Sequence, residues 1–407
     1  MAGNSGTVRV LYSFPHKLGA ARICTIAWQQ VRGIAAAGAE VNAYVGSVSR
    51  GLPKTVELHT TLAWNKIRLP YRLLGSRHAC ALHDCLVARK LKNLAGEVDV
   101  VHVWPLAALR TIQVAKQLGI PTVLERPNAH TRFAYETVQR ECQRLGISMP
   151  AHHEHAYNPA VLKREELEYQ STDYLLCPSD FVARTFQAEG FSPQKLMRHQ
   201  YGYDRELYFP GSQSTEPDRG LTVLFAGGCA PRKGLHYALN AWLQSSACRT
   251  GTLLIAGAFI PGYAELLSKQ LSHPSVKVLG HRQDLPALMR QSDVFVLPSI
   301  EEGSALVTYE ARGSGCVLLV SDAAGAICEH SENALIHSAG DVQTLARHMS
   351  MLHERRELLV ELRKSSLRTT PELDWEAAGN RLMSVYREVA GRSAPANERL
   401  FVSTSSN

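Results

Sequence analysis

Short apolar runs alternating with helically spaced apolar residues recur along the whole chain, and few folds accommodate that pattern. Val8-Arg9-Val10-Leu11-Tyr12 reads as a short buried strand. Residues 20–38 carry apolar side chains at helical spacing and end near Gly38. Val41 to Val45, Val98 to Val103 and Pro121 to Glu125 read as further strands, with a helix at about 106–118 before the last. The second half repeats this order. Leu221 to Ala226, Gly251 to Ala256, Val276 to Leu279, Asp293 to Pro298 and Val317 to Ser321 are strand-like, with helices from Gly234 to about Ser245 and from near Ala305. Strands alternating with helices imply parallel β-α-β units. The expected fold class is therefore α/β, with two Rossmann-like doubly wound domains facing a cleft. The loop-like Phe209-Pro210-Gly211-Ser212-Gln213-Ser214 lies near the division. Residues 1–205 are expected to form the first domain and 206–372 the second, followed by a C-terminal helix over 373–390 and a disordered tail over 391–407.

At 407 residues the chain is long enough for two cores, at about 100–200 residues per domain. No apolar run approaches the roughly 18 residues of a membrane-spanning helix. Met1 to Ser5 lacks the basic-then-apolar pattern of a secretion signal. Nine scattered cysteines without a C-x-x-C pair suggest neither a zinc site nor a disulfide framework, but reduced thiols in the cytoplasm. The net charge of +7 fits an anionic ligand such as a nucleotide, or an anionic membrane surface, without specifying either. Residues 66–92 hold Lys66, Arg68, Arg72, Arg77, Arg89, Lys90 and Lys92 among apolar positions. They read as a solvated basic helix face or, for a lipid-linked acceptor, as a patch that rests on the inner face of a membrane. His152-His153-Glu154-His155 lacks the spacing of H-E-x-x-H, so no metal site is expected there. No strand leads into G-x-G-x-x-G with an acid about 20 residues on, which disfavours a dinucleotide oxidoreductase. No nucleic-acid partner is expected.

The most informative segment is Pro298-Ser299-Ile300-Glu301-Glu302-Gly303-Ser304-Ala305-Leu306-Val307-Thr308-Tyr309-Glu310-Ala311. It leaves an apolar strand and enters a helix. A carboxylate accepts two hydrogen bonds from a vicinal diol, and helix-start N–H groups favour negative charge, so the segment suits a sugar and a diphosphate. A second segment, Phe225-Ala226-Gly227-Gly228-Cys229-Ala230-Pro231-Arg232-Lys233-Gly234, joins a strand to a helix and brings glycines and cations together.

These segments resemble the motifs of glycosyltransferase family 4, retaining enzymes of the GT-B fold. The first looks like the family's E-x7-E motif. The resemblance implies that Glu310 holds the nucleotide ribose, and that Glu302 with the backbone of Gly303, Ser304, Ala305 and Leu306 contacts the donor sugar. The second is similar to the family's G-R-x-x-x-x-K-G segment, in which Arg and Lys bind the diphosphate. Lys233 matches the Lys. Gly228 stands at the Arg position, and Arg232 is the substitute candidate. Val278-Leu279-Gly280-His281-Arg282 resembles the nucleobase-contacting strand and loop, which makes Arg282 a candidate contact. Ser321 to Gly325 matches a strand-end loop of the family. Gly19, in His16 to Arg22, falls where the family has a glycine-rich loop closing over the donor phosphates. Glu125-Arg126-Pro127-Asn128-Ala129-His130 falls where members often place a histidine near the reacting sugar; alignment puts Pro127 there, so His130 is the candidate. Tyr201-Gly202-Tyr203-Asp204 resembles a structural turn before the domain crossover, and Trp375 to Val389 resembles the helix that crosses back to the first domain.

The resemblance implies transfer of a sugar from a nucleotide-sugar donor to a glycan or lipid-linked acceptor with retention of configuration, and a role in polysaccharide biosynthesis. Glu302, Lys233 and His130 are the expected catalytic groups. Lys233 would offset charge on the departing nucleoside diphosphate, so no metal or other cofactor is expected. The alternative is a non-catalytic protein of the same fold that binds a nucleotide sugar or acts as a scaffold, favoured by the missing Arg at Gly228.

Overall fold

The computed structural model describes residues 7–64, 67–68, 71–153, 155–211 and 220–391. The expected tail over 391–407 lies outside these residues except for Gly391, as do part of the expected interdomain loop and the side chains of Lys66, Arg68 and Arg72.

Fifteen strands occur among the described residues, in chain order: β1 Arg9–Leu18, β2 Glu40–Val48, β3 Val56–Thr60, β4 Ala63–Trp64, β5 Ile67–Arg68, β6 Val100–Val103, β7 Thr122–Glu125, β8 Tyr174–Cys177, β9 Leu196–Arg198, β10 Thr222–Ala226, β11 Thr252–Ala256, β12 Val276–Gly280, β13 Val294–Leu297, β14 Val317–Ser321 and β15 Ala334–His337. Apart from the small antiparallel pair β4-β5, they form two sheets. The first has the order β3-β2-β1-β6-β7-β8-β9 and the second β12-β11-β10-β13-β14-β15. Neighbouring strands within each sheet are parallel. Parallel sheets are covered on both faces, which is why β6, β7, β8, β13 and β14 are buried at every residue. The α/β architecture with two Rossmann-like halves is therefore as expected.

The order of each sheet reverses beside its first strand: β1 lies between β2 and β6, and β10 between β11 and β13. Open α/β sheets bind ligands in the crevice at such a switch point, beyond the carboxyl ends of the strands. In the second sheet that crevice is bounded by the turn after β10 and the loop after β13, the two segments that the sequence singles out.

The chain passes between the sheets twice, and the two crossings lie side by side. Tyr203 bridges Asp374, and its N–H donates to the Leu373 carbonyl at 3.2 Å. Gly202 makes this approach feasible, since a Cβ there would sit 2.6 Å from the Asp374 carbonyl carbon. The final helix, Trp375–Gly391, then packs against the helix Ile23–Ala36 of the first half. Gly33 and Gly379 meet at the crossing, where a Cβ on Gly379 would lie 2.6 Å from the Gly33 Cα. Leu382, Met383, Val385, Tyr386 and Val389 are buried in one cluster with Val10, Tyr12 and Phe14 of β1. Among the described residues, no helix is long and apolar enough to cross a membrane.

Candidate donor site between the two domains

The turn after β10 carries Arg232 and Lys233 in a single 3-10 turn, Pro231–Lys233, which ends on Gly234. Gly234 is left-handed, at φ 68°, and a Cβ there would lie 2.8 Å from the Pro298 carbonyl carbon. A glycine is thus needed for both conformation and close approach. It brings the cation turn against the loop after β13, where the Ile300 N–H donates to the Arg232 carbonyl at 2.9 Å.

The side chains then converge. Lys233 Nζ donates to Glu302 Oε1 at 2.8 Å and also contacts Oε2. Arg232 Nη2 lies 2.7 Å from Glu302 Oε1, and its Nε donates to Glu301 Oε2 at 2.6 Å. All four groups are largely buried. Burial would push the Glu302 carboxyl up, but Arg232 and Lys233 outweigh it and hold it below its ordinary value. Burial pushes the Lys233 ammonium down despite Glu302, and the neighbouring Arg232 charge acts in the same direction. Arg232 is held above its ordinary value because Glu301 and Glu302 together outweigh its burial. Arg232, whose direction the sequence leaves open, thus turns into the site. Glu301 carries no family motif position, and the only sequence signal for it is adjacency to Glu302.

Glu310 lies one turn into the helix Leu306–Gly313. Burial pushes its carboxyl up to about 7, partly offset by a hydrogen bond from the Tyr208 hydroxyl. Ser304 Oγ lies 2.7 Å from the Tyr309 hydroxyl and donates to the Gly325 carbonyl at 3.1 Å, which fixes the loop ahead of the helix. Ala305 is the buried N-cap position, and Leu306 begins the helix. Gly228 is exposed and has open space where a Cβ would be. Arg282 is not brought to the cluster by any contact among the described residues; it is exposed and donates to Asp284 at 2.8 Å. Gly19 ends the strand-and-turn of β1 at φ 79°, packed on the Arg50 side chain.

The first domain closes on this loop directly. The Ser179 hydroxyl donates to the Gly303 carbonyl. A Cβ on Gly303 would lie 2.6 Å from the Pro127 carbonyl carbon, so the two backbones touch across the interface. A second contact lies further along. Glu141, on the helix Thr131–Leu145, meets His236 Nε2 at 2.7 Å and accepts from the Tyr237 hydroxyl at 2.9 Å and from Arg144 at 2.6 Å. Burial would raise the Glu141 carboxyl, but the bonds from His236, Arg144 and Tyr237 hold it down at about 2.

The His130 ring packs within the first domain, 4.9 Å from Phe186 and 5.2 Å from Tyr169. The residue occupies the N-cap position of the helix Thr131–Leu145, with its N–H donating to Thr185 Oγ1 at 3.0 Å. Burial, reinforced by Arg126 and Arg132, pushes its pKa down to about 3. The position is that of a neutral core histidine. Burial, together with the charges of Arg232, His153 and Lys233, pushes the His155 imidazole of the first domain down to about 2.

The family Glycosyl transferases group 1 matches residues 220–355, which contain both segments of the site. The chain is 28% identical over 121 residues to the N,N'-diacetylbacillosaminyl-diphospho-undecaprenol alpha-1,3-N-acetylgalactosaminyltransferase of Campylobacter jejuni, a match spanning 29% of this chain and 32% of that relative. It is 24% identical over 320 residues to the MMP alpha-(1->4)-mannosyltransferase of Mycolicibacterium hassiacum, spanning 75% and 74% of the two chains. The fold is shared with Anabaena HepE in complex with UDP, at a TM-score of 0.63 and 16% identity over 94% of this chain and 100% of that one. With residues 220–355 matching the Glycosyl transferases group 1 family, and with the two-domain fold of GT-B structures, the chain is similar to glycosyltransferases in both sequence and architecture.

Proposed function

We propose that the chain moves a sugar from a nucleotide-sugar donor to an acceptor glycan or lipid-linked saccharide, with retention of anomeric configuration. The observation that carries the reading is the convergence of Lys233, Arg232 and Glu302 at the switch point of the second sheet, with Glu310 on the helix that follows. Lys233 and Arg232 offer the positive charge that a departing diphosphate develops, so the reading assigns that charge to side chains rather than to a cofactor. Glu310 accepts from the ribose hydroxyls, as the E-x7-E resemblance implies. Glu302 orients the donor sugar and is not assigned as a nucleophile. Gly303 to Leu306 present backbone groups at a helix start. Closure through Ser179 and Pro127 excludes water and limits hydrolysis of the donor.

The nucleotide class is supported by the UDP complex of HepE, and a lipid-linked acceptor by the undecaprenol-linked substrate in the name of the Campylobacter relative. For such an acceptor, the exposed Arg77, Arg89, Lys90 and Lys92 would rest on an anionic membrane surface from the cytoplasmic side. Isothermal calorimetry against UDP, GDP, ADP, TDP and CDP, with wild type and Glu310→Ala, tests the donor site. Selective binding of one nucleotide that the variant loses is the expected result. No binding of any nucleotide at millimolar concentration overturns the donor site and favours a scaffold that has lost it.

A further inference from the structure

The resemblance leaves one cation unaccounted for, since Gly228 stands where an arginine is expected. We infer that Arg232, held in place by Glu301, is the second cation of the donor-phosphate site, and that Glu301 is its positioning residue. The inference rests on the reading of this site as one for a nucleoside diphosphate.

Three observations carry it. The first is geometric. The guanidinium of Arg232 is engaged along one edge, with Nε on Glu301 at 2.6 Å and Nη2 on Glu302 at 2.7 Å. Held by Glu301 through Nε, the planar guanidinium keeps a set orientation when Nη2 exchanges Glu302 for a phosphate oxygen, as directed phosphate recognition needs. Arg232 therefore shares with Lys233 the carboxylate that the sugar reading assigns to the donor.

The second is Glu301 itself. Its side chain is fully buried, and its second oxygen, Oε1, has no hydrogen-bond partner among the described residues. A carboxylate removed from water is costly unless it is well paired, and an apolar replacement of a buried pair is often no less stable. Glu301 is thus poorly explained by stability and well explained by the orientation it gives Arg232.

The third is room at Gly228. Its φ is not in the left-handed region, and no atom lies within 4 Å of where its Cβ would be. Packing does not forbid an arginine there. The charge has been supplied from four residues further on, where a buried anchor was available.

The four groups together carry no net charge, because Glu302 sits between the two cations as an internal anion. A diphosphate that takes its place keeps both cations paired and releases the Glu302 carboxylate to accept from sugar hydroxyls. Donor binding and sugar orientation are then one exchange of partners.

The test compares UDP, GDP and ADP with the corresponding monophosphates by calorimetry on the full chain. Arg232→Ala strands the Glu301 charge and risks misfolding, so the principal variant is Arg232→Met combined with Glu301→Gln, its folding checked by a circular-dichroism melt. The second phosphate is expected to lose about 10- to 100-fold of its contribution to affinity in this variant, while monophosphate affinity stays within about twofold. Glu301→Gln alone is expected to give a smaller loss of the same kind, and adding G228R to the principal variant to recover most of it. An unchanged preference for diphosphate over monophosphate in the principal variant overturns the assignment of Arg232 alone. Failure of the wild type to bind any of the nucleotides overturns the donor reading, and the inference with it.

Discussion

Gly303→Ala tests whether the domains close through backbone contact at the Glu302 loop. The added Cβ would lie 2.6 Å from the Pro127 carbonyl carbon and 3.0 Å from the Asn128 Cα. Carbon pairs without strain sit at about 3.5–4.0 Å. The Pro127 carbonyl oxygen lies nearer still, so the interface must widen by about 1–2 Å at this point, and the hydrogen bond from Ser179 to the Gly303 carbonyl is stretched or lost. Overpacking of this kind costs about 1–3 kcal/mol, and a lost hydrogen bond about 1 kcal/mol if the domains part instead. Each kcal/mol lowers the melting temperature by about 2–4 °C for domains of this size, so a fall of about 2–12 °C is expected by scanning calorimetry. Small-angle scattering should show a larger radius of gyration, and the donor nucleotide should bind more weakly because its site no longer closes. A variant that melts within about 1 °C of wild type, with unchanged scattering, would show that Gly303 does not set the distance between the domains.

Further tests address the charged groups and the last helix. With the Glu310 carboxyl raised to about 7, nucleotide affinity should rise between pH 6 and pH 8 as the carboxylate forms, and Glu310→Gln should flatten that dependence in calorimetry. Glu141, held at about 2 against 4.5 in the unfolded chain, contributes stability that is fully present above pH 4.5 and is lost as pH falls toward 2. Glu141→Ala should therefore lower stability by roughly 2–4 kcal/mol at neutral pH in denaturant titrations and narrow its gap to wild type at acid pH. Gly379→Leu should force the final helix from the helix Ile23–Ala36, at a cost of roughly 3 kcal/mol or more, and limited proteolysis should then cut near Trp375.

The elements legible in the sequence were those with strong periodicity. The helix expected over 20–38 is Ile23–Ala36, and the strands expected at Val41 and Val317 are β2 and β14. β1 runs to Leu18, past the expected end at Tyr12, because Pro15 to Leu18 continue along β2 with a shifted register that Gly46 permits. β9, of three residues, and β15, of four, are the last strands of their sheets and were not expected from periodicity. Both exist because a neighbouring strand supplies their ladder. The same division holds at the site. Lys233, Glu302 and Glu310 sit in local motifs whose spacing is preserved along one loop and helix. Glu301 and the inward turn of Arg232 depend on a pairing 69 residues apart in the chain, which no local pattern encodes. Position along the chain also does not reveal rotation: at the N-cap of its helix, the His130 ring packs on Tyr169 and Phe186, one from each of the two helices that follow.

The return of the helix Trp375–Gly391 to the first domain also governs how the protein is made. Its side chains complete a core begun by β1, so the first domain leaves the ribosome with an apolar face that waits for the entire second domain to be synthesised. Contacts of such long sequence separation form late and slowly. Slower translation would not help, since it prolongs the exposure; a chaperone that holds the first domain until the final residues emerge would.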